Sequence, residues 1–268
     1  MTVRRMQADD LARVLDWAAA EGWNPGHDDA AAFLAADPAG FFVNEVEGRP
    51  VAALSVVNHD DDFAFLGLYL CRAEYRGRGL GLEVWQAGVA HAGGRTIGLD
   101  GVPAQQANYA KSGFAAAGGT VRFCGAPPRG GPAQAASGLA PLMAADARAT
   151  GMLRPRFATA WFTDTPARRT LMLSDGGFAT VRACGEGVKF GPFHATTPEA
   201  AWALLTSVPA EFGAGPVFID VPDTASDLVA LLRREGFVPV FETARMYAGP
   251  PPKGQPPAFY AVATLELG

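Results

Sequence analysis

Arg76, Gly77, Arg78, Gly79 and Gly81 crowd together between an apolar run, Phe63 to Leu70, and an amphipathic stretch, Leu80 to His91. That arrangement predicts a strand, a glycine-rich turn and a helix. Glycines at a helix start leave several backbone N–H groups unobstructed, with the positive end of the helix dipole behind them. Such a turn suits an anion, above all a phosphate or pyrophosphate. Arg76 and Arg78 add charge-assisted donors. The plainer alternative is a tight connection carrying two solvated arginines. Two well-known phosphate loops fail against the sequence. A Walker loop needs Gly-x-x-x-x-Gly-Lys-Ser/Thr, which does not occur. A dinucleotide fingerprint needs a last glycine where Leu82 or Val84 stands, depending on register.

The spacing that does fit is Arg76-x-x-Gly79-x-Gly81, following a strand that ends Leu68-Tyr69-Leu70-Cys71. This resembles the acyl-CoA signature of the GNAT superfamily of N-acetyltransferases. The resemblance implies that main-chain amides from Arg76 to Gly81, Leu80 included, hold the CoA pyrophosphate. It implies that the strand end at Leu70, Cys71 and Arg72 runs beside the pantetheine arm, where its N–H groups would polarise the acetyl carbonyl. Downstream, Tyr109-Ala-Lys-Ser-Gly-Phe114 resembles the Tyr-x-x-x-Gly-Phe segment of the same enzymes. There a tyrosine hydroxyl protonates the leaving thiolate, a role a phenol can fill. The alternative for Tyr109 is a helix residue with its hydroxyl at the surface.

The elements that would position these residues come in two similar sets. In the first half, Phe41–Val46 and Pro50–Val57 read as strands joined at Glu47-Gly48. The Phe63–Leu70 strand, the glycine loop and its helix follow, then a strand ending near Asp100, a helix over 104–111 and Gly113-Phe114. In the second half, strands at Arg169–Ser174, Phe178–Arg182 and Val188–Phe193 precede a helix over Pro198–Thr206. A strand ending Ile219-Asp220-Val-Pro222, a helix from Ser226 and Gly236-Phe237 complete the parallel. The expectation is a divergent tandem repeat of α/β class (α+β mixed sheet): two GNAT-like domains, each a twisted, mostly antiparallel sheet flanked by helices. The boundaries read as a GNAT domain over 1–126, a Gly/Pro/Ala-rich linker over 127–140 and a degenerate GNAT-like domain over 141–268. The second copy lacks the loop: Ala195-Thr-Thr-Pro-Glu-Ala200 has neither glycine nor arginine, and Thr197-Pro198 reads as an ordinary N-cap and first helical residue. Leucine replaces Tyr109 in the stretch Leu231-Leu232-Arg-Arg-Glu-Gly236.

Composition narrows the class. The chain has 268 residues, 49% hydrophobic, with net charge −5. That acidic balance offers no basic stripe for nucleic acid, and no apolar stretch is long enough for a bilayer. The N-terminal residues lack the apolar core of a secretory signal. Three scattered cysteines, Cys71, Cys124 and Cys184, suit reduced thiols and a cytoplasmic setting. Neither they nor the four histidines form a metal motif, so no metal is expected.

Signals for the acceptor are weaker. Trp23 and Asn24 lie between the first two helices, where the resemblance implies an overhang above the acceptor pocket; Trp23 could equally be a core lid. Asp62, in the Asp60–Asp62 turn, would attract an ammonium group or simply be a solvated tip. Asp100 is a candidate base, but Asp220 holds the matching place in the half without the loop, which favours a turn or capping role for both. The expected function is acetyl-CoA-dependent N-acetylation of a primary amine on a small molecule or amino-acid-like acceptor. The alternative is a noncatalytic acyl-CoA-binding or protein-interaction module. A homo-oligomer is compatible with the sequence, which does not fix the oligomeric state.

Overall fold

A computed structural model describes residues 2–268. The first half runs β1 (Thr2–Arg5), α1 (Ala8–Ala20), α2 (Asp29–Ala36), β2 (Phe41–Val46), β3 (Arg49–Asn58) and β4 (Phe63–Cys71). It continues with α3 (Leu80–Ala92), β5 (Thr96–Gly101), α4 (Gln106–Lys111) and β6 (Ala115–Gly125). The β2–β3 hairpin turns on Glu47 and Gly48, both at positive φ, the turn geometry that matches strand twist. A short strand β7 (Gln134–Ala135) within the Gly/Pro/Ala-rich stretch leads to α5 (Leu139–Thr150) and α6 (Pro155–Phe162). The second half then adds β8 (Arg168–Met172), β9 (Phe178–Ala183), β10 (Val188–Ala195) and α7 (Pro198–Thr206). It ends with β11 (Val217–Pro222), α8 (Ser226–Arg234), β12 (Val238–Ala248) and β13 (Phe259–Ala261). Every strand and helix expected from the sequence is present, but β1, β7, α5, α6, β12 and β13 were not foreseen.

The two halves form one mixed sheet, in the order β1-β2-β3-β4-β5-β12-β6-β11-β10-β9-β8-β7, with β13 attached to β10. The order is not sequential at its centre. β12, from the second half, pairs with β5 of the first, and β6, from the first, pairs with β11 of the second. β6 and β12 also pair with each other. Each half has given its last long strand to the other.

This exchange explains two aspartates. Asp100 on β5 faces Arg245 on β12, which donates to both its oxygens at 2.9 and 2.7 Å. Asp220 on β11 faces Arg122 on β6, again through two bonds, at 2.7 and 2.9 Å. The turn or capping role expected for both aspartates is therefore wrong: each is a buried carboxylate neutralised by an arginine on the exchanged strand. Losing one partner of such a pair leaves a buried charge, at a cost of about 3–5 kcal/mol.

Between the halves the helical layer is packed as a core. Phe33 of α2 stacks on Trp161 of α6, with centroids 6.1 Å apart, and one apolar cluster runs from Leu11 and Val14 through Leu142 and Phe162 to Leu267. Asp29, at the start of α2, pairs with Arg182 of β9, whose guanidinium lies 4.6 Å above the Trp161 ring. Among the described residues no helix is long and apolar enough to cross a membrane.

Candidate active site

The site begins where two strands part. β4 and β5 run parallel and paired from Phe63/Thr96 to Leu66/Leu99, and no further. Beyond Leu66, β4 bulges: its register against β3 jumps between Gly67 and Leu70, and Leu68 takes a positive φ. β5 keeps β12 on its other edge throughout, from Ile97 to Gly101. The opening between β4 and β5 is a cavity lined by Leu66, Leu68, Tyr69, Leu99, Asp100 and Tyr109 from the first half. The second half supplies Phe241 and Thr243 of β12 and Leu265 and Glu266 of the tail, while Trp23 and Arg122 close the cavity.

Past the bulge, β4 keeps β3 on one edge, with Leu70 against Ala53 and Cys71 against Ala52. The Arg72 N–H donates to the Val51 carbonyl at 3.0 Å, so it is not free to polarise an acyl group, contrary to the sequence expectation. Antiparallel pairing alternates, which puts Leu70 in a bonded pair and turns the Cys71 N–H toward the cleft.

The glycine-rich loop enters α3 beside this edge. Gly77 and Gly79 have φ of +77° and +80°, and a Cβ at either would meet no neighbour, so the demand for glycine is conformational. Gly81 is glycine for another reason: a Cβ there would stand 2.9 Å from the Tyr69 hydroxyl. The first N–H of α3 to bond back along the chain is that of Glu83, to Gly79 at 3.2 Å. The preceding amides therefore remain for an anion. Leu80 is buried beneath them and anchors the turn. Of the arginines, Arg76 donates to the Cys71 carbonyl at 2.9 Å and to Glu21 at 2.8 Å. Arg78 lies over the Tyr75 ring, and Arg72 pairs with Glu74. The Arg76–Glu21 and Arg72–Glu74 pairs are exposed, each worth about 1 kcal/mol or less, and a phosphate can compete for them.

Tyr109 sits on α4 as one rung of an aromatic ladder. Tyr69 meets Trp85 at 5.4 Å, Trp85 stacks on Tyr109 at 5.8 Å and 16°, and Phe114 closes against both. The ring is buried while lining the cavity. Burial, with the neighbouring Tyr69, pushes the Tyr109 phenol far above its ordinary range, so it carries its proton at any working pH.

The acceptor-side expectations divide. Trp23 lines the cavity, held by its own carbonyl, which accepts from Arg122 at 2.8 Å and Lys189 at 2.9 Å. Asn24 does not reach it. Its side-chain amide donates to the Glu186 carbonyl and accepts the Glu186 N–H, tying the α1–α2 loop to the second half. Asp62 is exposed at the opposite end of β4, about 25–30 Å from Cys71 at the rise of an extended strand, and is not part of the site. Asp100 lines the cavity with both oxygens held by Arg245, and burial pushes its carboxyl up against that guanidinium.

Thr243, Phe241, Leu265 and Glu266 were not anticipated, because nothing local in the second half's sequence announces that it lines the first half's cleft. The alternating Phe241, Thr243 and Arg245 were the one available signal for a strand there. No cluster of three or more His, Cys, Asp or Glu able to hold a metal occurs among the described residues.

Comparison with known proteins agrees with this geometry. Residues 8–114 match the acetyltransferase (GNAT) family, and residues 142–261 match an acetyltransferase (GNAT) domain family. Holothin acyltransferase of Pseudoalteromonas sp. (strain SANK 73390) is 32% identical over 266 residues, covering 95% of this chain and 90% of that one. Among solved structures, a putative acetyltransferase from Pyrococcus horikoshii superposes with a TM-score of 0.82 at 22% identity, covering 100% of this chain and 95% of its own. A tandem GNAT protein from the clavulanic acid biosynthesis pathway superposes with a TM-score of 0.63 at 17% identity, covering 93% and 99%. The chain belongs to the GNAT family and is a tandem GNAT acyltransferase.

Proposed function

We propose that this acyltransferase moves an acetyl group from acetyl-CoA to the primary amine of a small acceptor with a largely apolar body. The observation that carries the reading is the opening between β4 and β5, with the glycine-rich loop at one end and Tyr109 in its wall. In this reading the pyrophosphate rests on the amides of Gly77 to Gly81, assisted by Arg76 and Arg78. The pantetheine arm runs along the unpaired edge of β4 at Leu70 and Cys71. The Cys71 N–H polarises the thioester carbonyl, and Tyr109 gives its proton to the departing sulfur. Residues 1–126 act as the donor-binding domain and 141–268 as the degenerate partner, joined through 127–140.

The acceptor class follows from the cavity wall: Leu66, Leu99, Phe241 and Leu265 favour an apolar body. A relative named as a holothin acyltransferase and a fold neighbour from clavulanic acid biosynthesis support a small molecule rather than a protein as acceptor. Release of free CoA from acetyl-CoA, measured across a panel of small primary amines, tests the assignment. Turnover with apolar amines is expected. Acetyl-CoA binding without turnover of any amine would return the chain to a binding role.

A further inference from the structure

The tail after β13 crosses from the second half's cleft to the first half's. It passes so close to the two bulges that a Cβ on Gly191 would stand 2.4 Å from the Val262 and Ala263 carbonyls, and one on Gly67 closer still to the Glu266 carbonyl. Both positions require glycine because the tail lies on them. The His59 ring meets the Leu267 carbonyl at 2.8 Å, and Arg154 donates to the Gly268 carbonyl. Glu266 is thereby fixed in the cavity wall, 5% exposed.

Two carboxylates line that cavity, Asp100 and Glu266. Asp100 is held on both oxygens by Arg245. Glu266 has no ion pair among the described residues; the Thr264 hydroxyl donates to its Oε2, and Oε1 takes no hydrogen bond there. Oε1 is also not among the fully enclosed, unpartnered atoms, so it keeps accessible surface in a residue that lines the cavity. The nearest arginine in the wall, Arg122, spends its nitrogens on Asp220 and the Trp23 carbonyl. A second polar residue lines the same cavity: Thr243, whose hydroxyl is buried and has no partner among the described residues.

We propose that Glu266, carried in by the tail of the half that lacks the glycine loop, is the general base that deprotonates the acceptor ammonium, with the Thr243 hydroxyl binding the acceptor beside it. The inference rests on the acyl-transfer reading above. The ammonium gives one proton to Glu266. The freed nitrogen lone pair attacks the thioester carbon, forming the C–N bond. Collapse breaks the C–S bond, and the thiolate takes the Tyr109 proton. The second proton lost from nitrogen restores the phenol through solvent, and Glu266 releases its own to water. The balance is ammonium plus acyl thioester giving amide, thiol and one proton.

Glu266→Gln in the full chain tests this with acetyl-CoA and the amines benzylamine, phenethylamine and hexylamine. General bases contribute about 10²–10⁴-fold. The variant should lose at least about a hundredfold in kcat/KM at pH 7, and the deficit should shrink as pH rises toward the amine's own pKa, where free amine needs no base. Acetyl-CoA affinity by calorimetry should stay within about twofold, which separates chemistry from misfolding, and Glu266→Asp should recover part of the rate. A deficit constant across pH, or none, overturns the base assignment while leaving acyl transfer intact. Failure of the unaltered protein to acylate any of the amines, with acetyl-CoA bound, overturns the acyl-transfer reading and this inference with it.

Discussion

The two halves contain the same cleft, and only one is open. In the first, β4 leaves β5 after Leu66, and among the described residues no strand pairs with its far edge from Leu68 onward. In the second, β10 leaves β11 after Phe190, but its far edge is filled: Phe193, His194 and Ala195 pair with Ala261, Tyr260 and Phe259 of β13. The chain's own strand lies where the proposed reading puts the pantetheine arm in the first half. The helix starts differ in the same sense. α3 begins at Gly79 with amides to spare, whereas α7 begins at Thr197, whose hydroxyl accepts the Ala200 N–H at 3.2 Å, with Pro198 following. Tyr109 and Leu232 occupy equivalent places, since each carbonyl accepts the N–H of the Gly-Phe phenylalanine, at 3.1 and 2.9 Å. On the proposed reading, the second half departs from a cofactor site in three places, loop, helix and groove, along the same backbone path.

The largest expected effect tests the third pair. Tyr109→Phe keeps the aromatic ladder and removes only the proton donor, so kcat should fall on the order of 10²–10³-fold with acetyl-CoA affinity nearly unchanged. Full turnover by this variant would make Tyr109 no more functional than Leu232.

The plug has its own weakness. His194 is 6% exposed, its ring stacks on Phe178 at 4.4 Å and meets Tyr260 edge-on, and its Nε2 has no partner among the described residues. Burial pushes its pKa down to about 4; Asp146 opposes this and Arg154 adds to it. The unfolded chain, with histidine near its ordinary 6.5, binds the proton first. Stability is therefore complete above about pH 6.5 and falls as pH drops from there toward 4. The loss should approach 3 kcal/mol in order of magnitude, at about 1.4 kcal/mol per pH unit. Denaturant melts of His194→Phe should show a shallower acid dependence, with the rest left to His59, which burial also pushes down to about 4; an identical dependence would remove the plug as an acid-sensitive element.

Reversing the helix-start contrast should come next in size. Arg76→Ala with Gly79→Glu gives the first half a loop like the second's, and acetyl-CoA affinity by calorimetry should fall by about a hundredfold, roughly 2.7 kcal/mol. Unchanged affinity would mean that the loop is not the anion cradle.

These contrasts were unequally legible in the sequence. The loop, Tyr109 and their absence from the second copy could be read directly, because local chemistry and helix-start rules act over a few residues. The repeat could be read from the order of strands and helices. The strand exchange could not: β6 and β12 would look the same in sequence whether each paired within its own half or with the other. The plug was hidden for the same reason, since Phe259–Ala261 is a short apolar run with no local partner. Asp62 and Asn24 misled because acidic and amide residues in loops serve turns and loop ties more often than ligands. Asp100 does line the cavity, but its pairing was hidden because its arginine stands 145 residues away.

Thr243 provides the smallest effect and the sharpest division between a wall and a site. Its hydroxyl is buried and unpaired, which costs on the order of 1 kcal/mol in the folded chain. Valine has the same shape without the hydroxyl, so Thr243→Val should raise the stability measured by denaturant melting by about that amount. If the hydroxyl exists to meet the acceptor, the same substitution should raise KM for the amine by about three- to tenfold, one neutral hydrogen bond, with acetyl-CoA affinity unchanged. A stability gain with no change in KM would make Thr243 a residue of the exchanged strand and nothing more. The two measurements together decide whether the second half merely covers the open cleft or also binds what enters it.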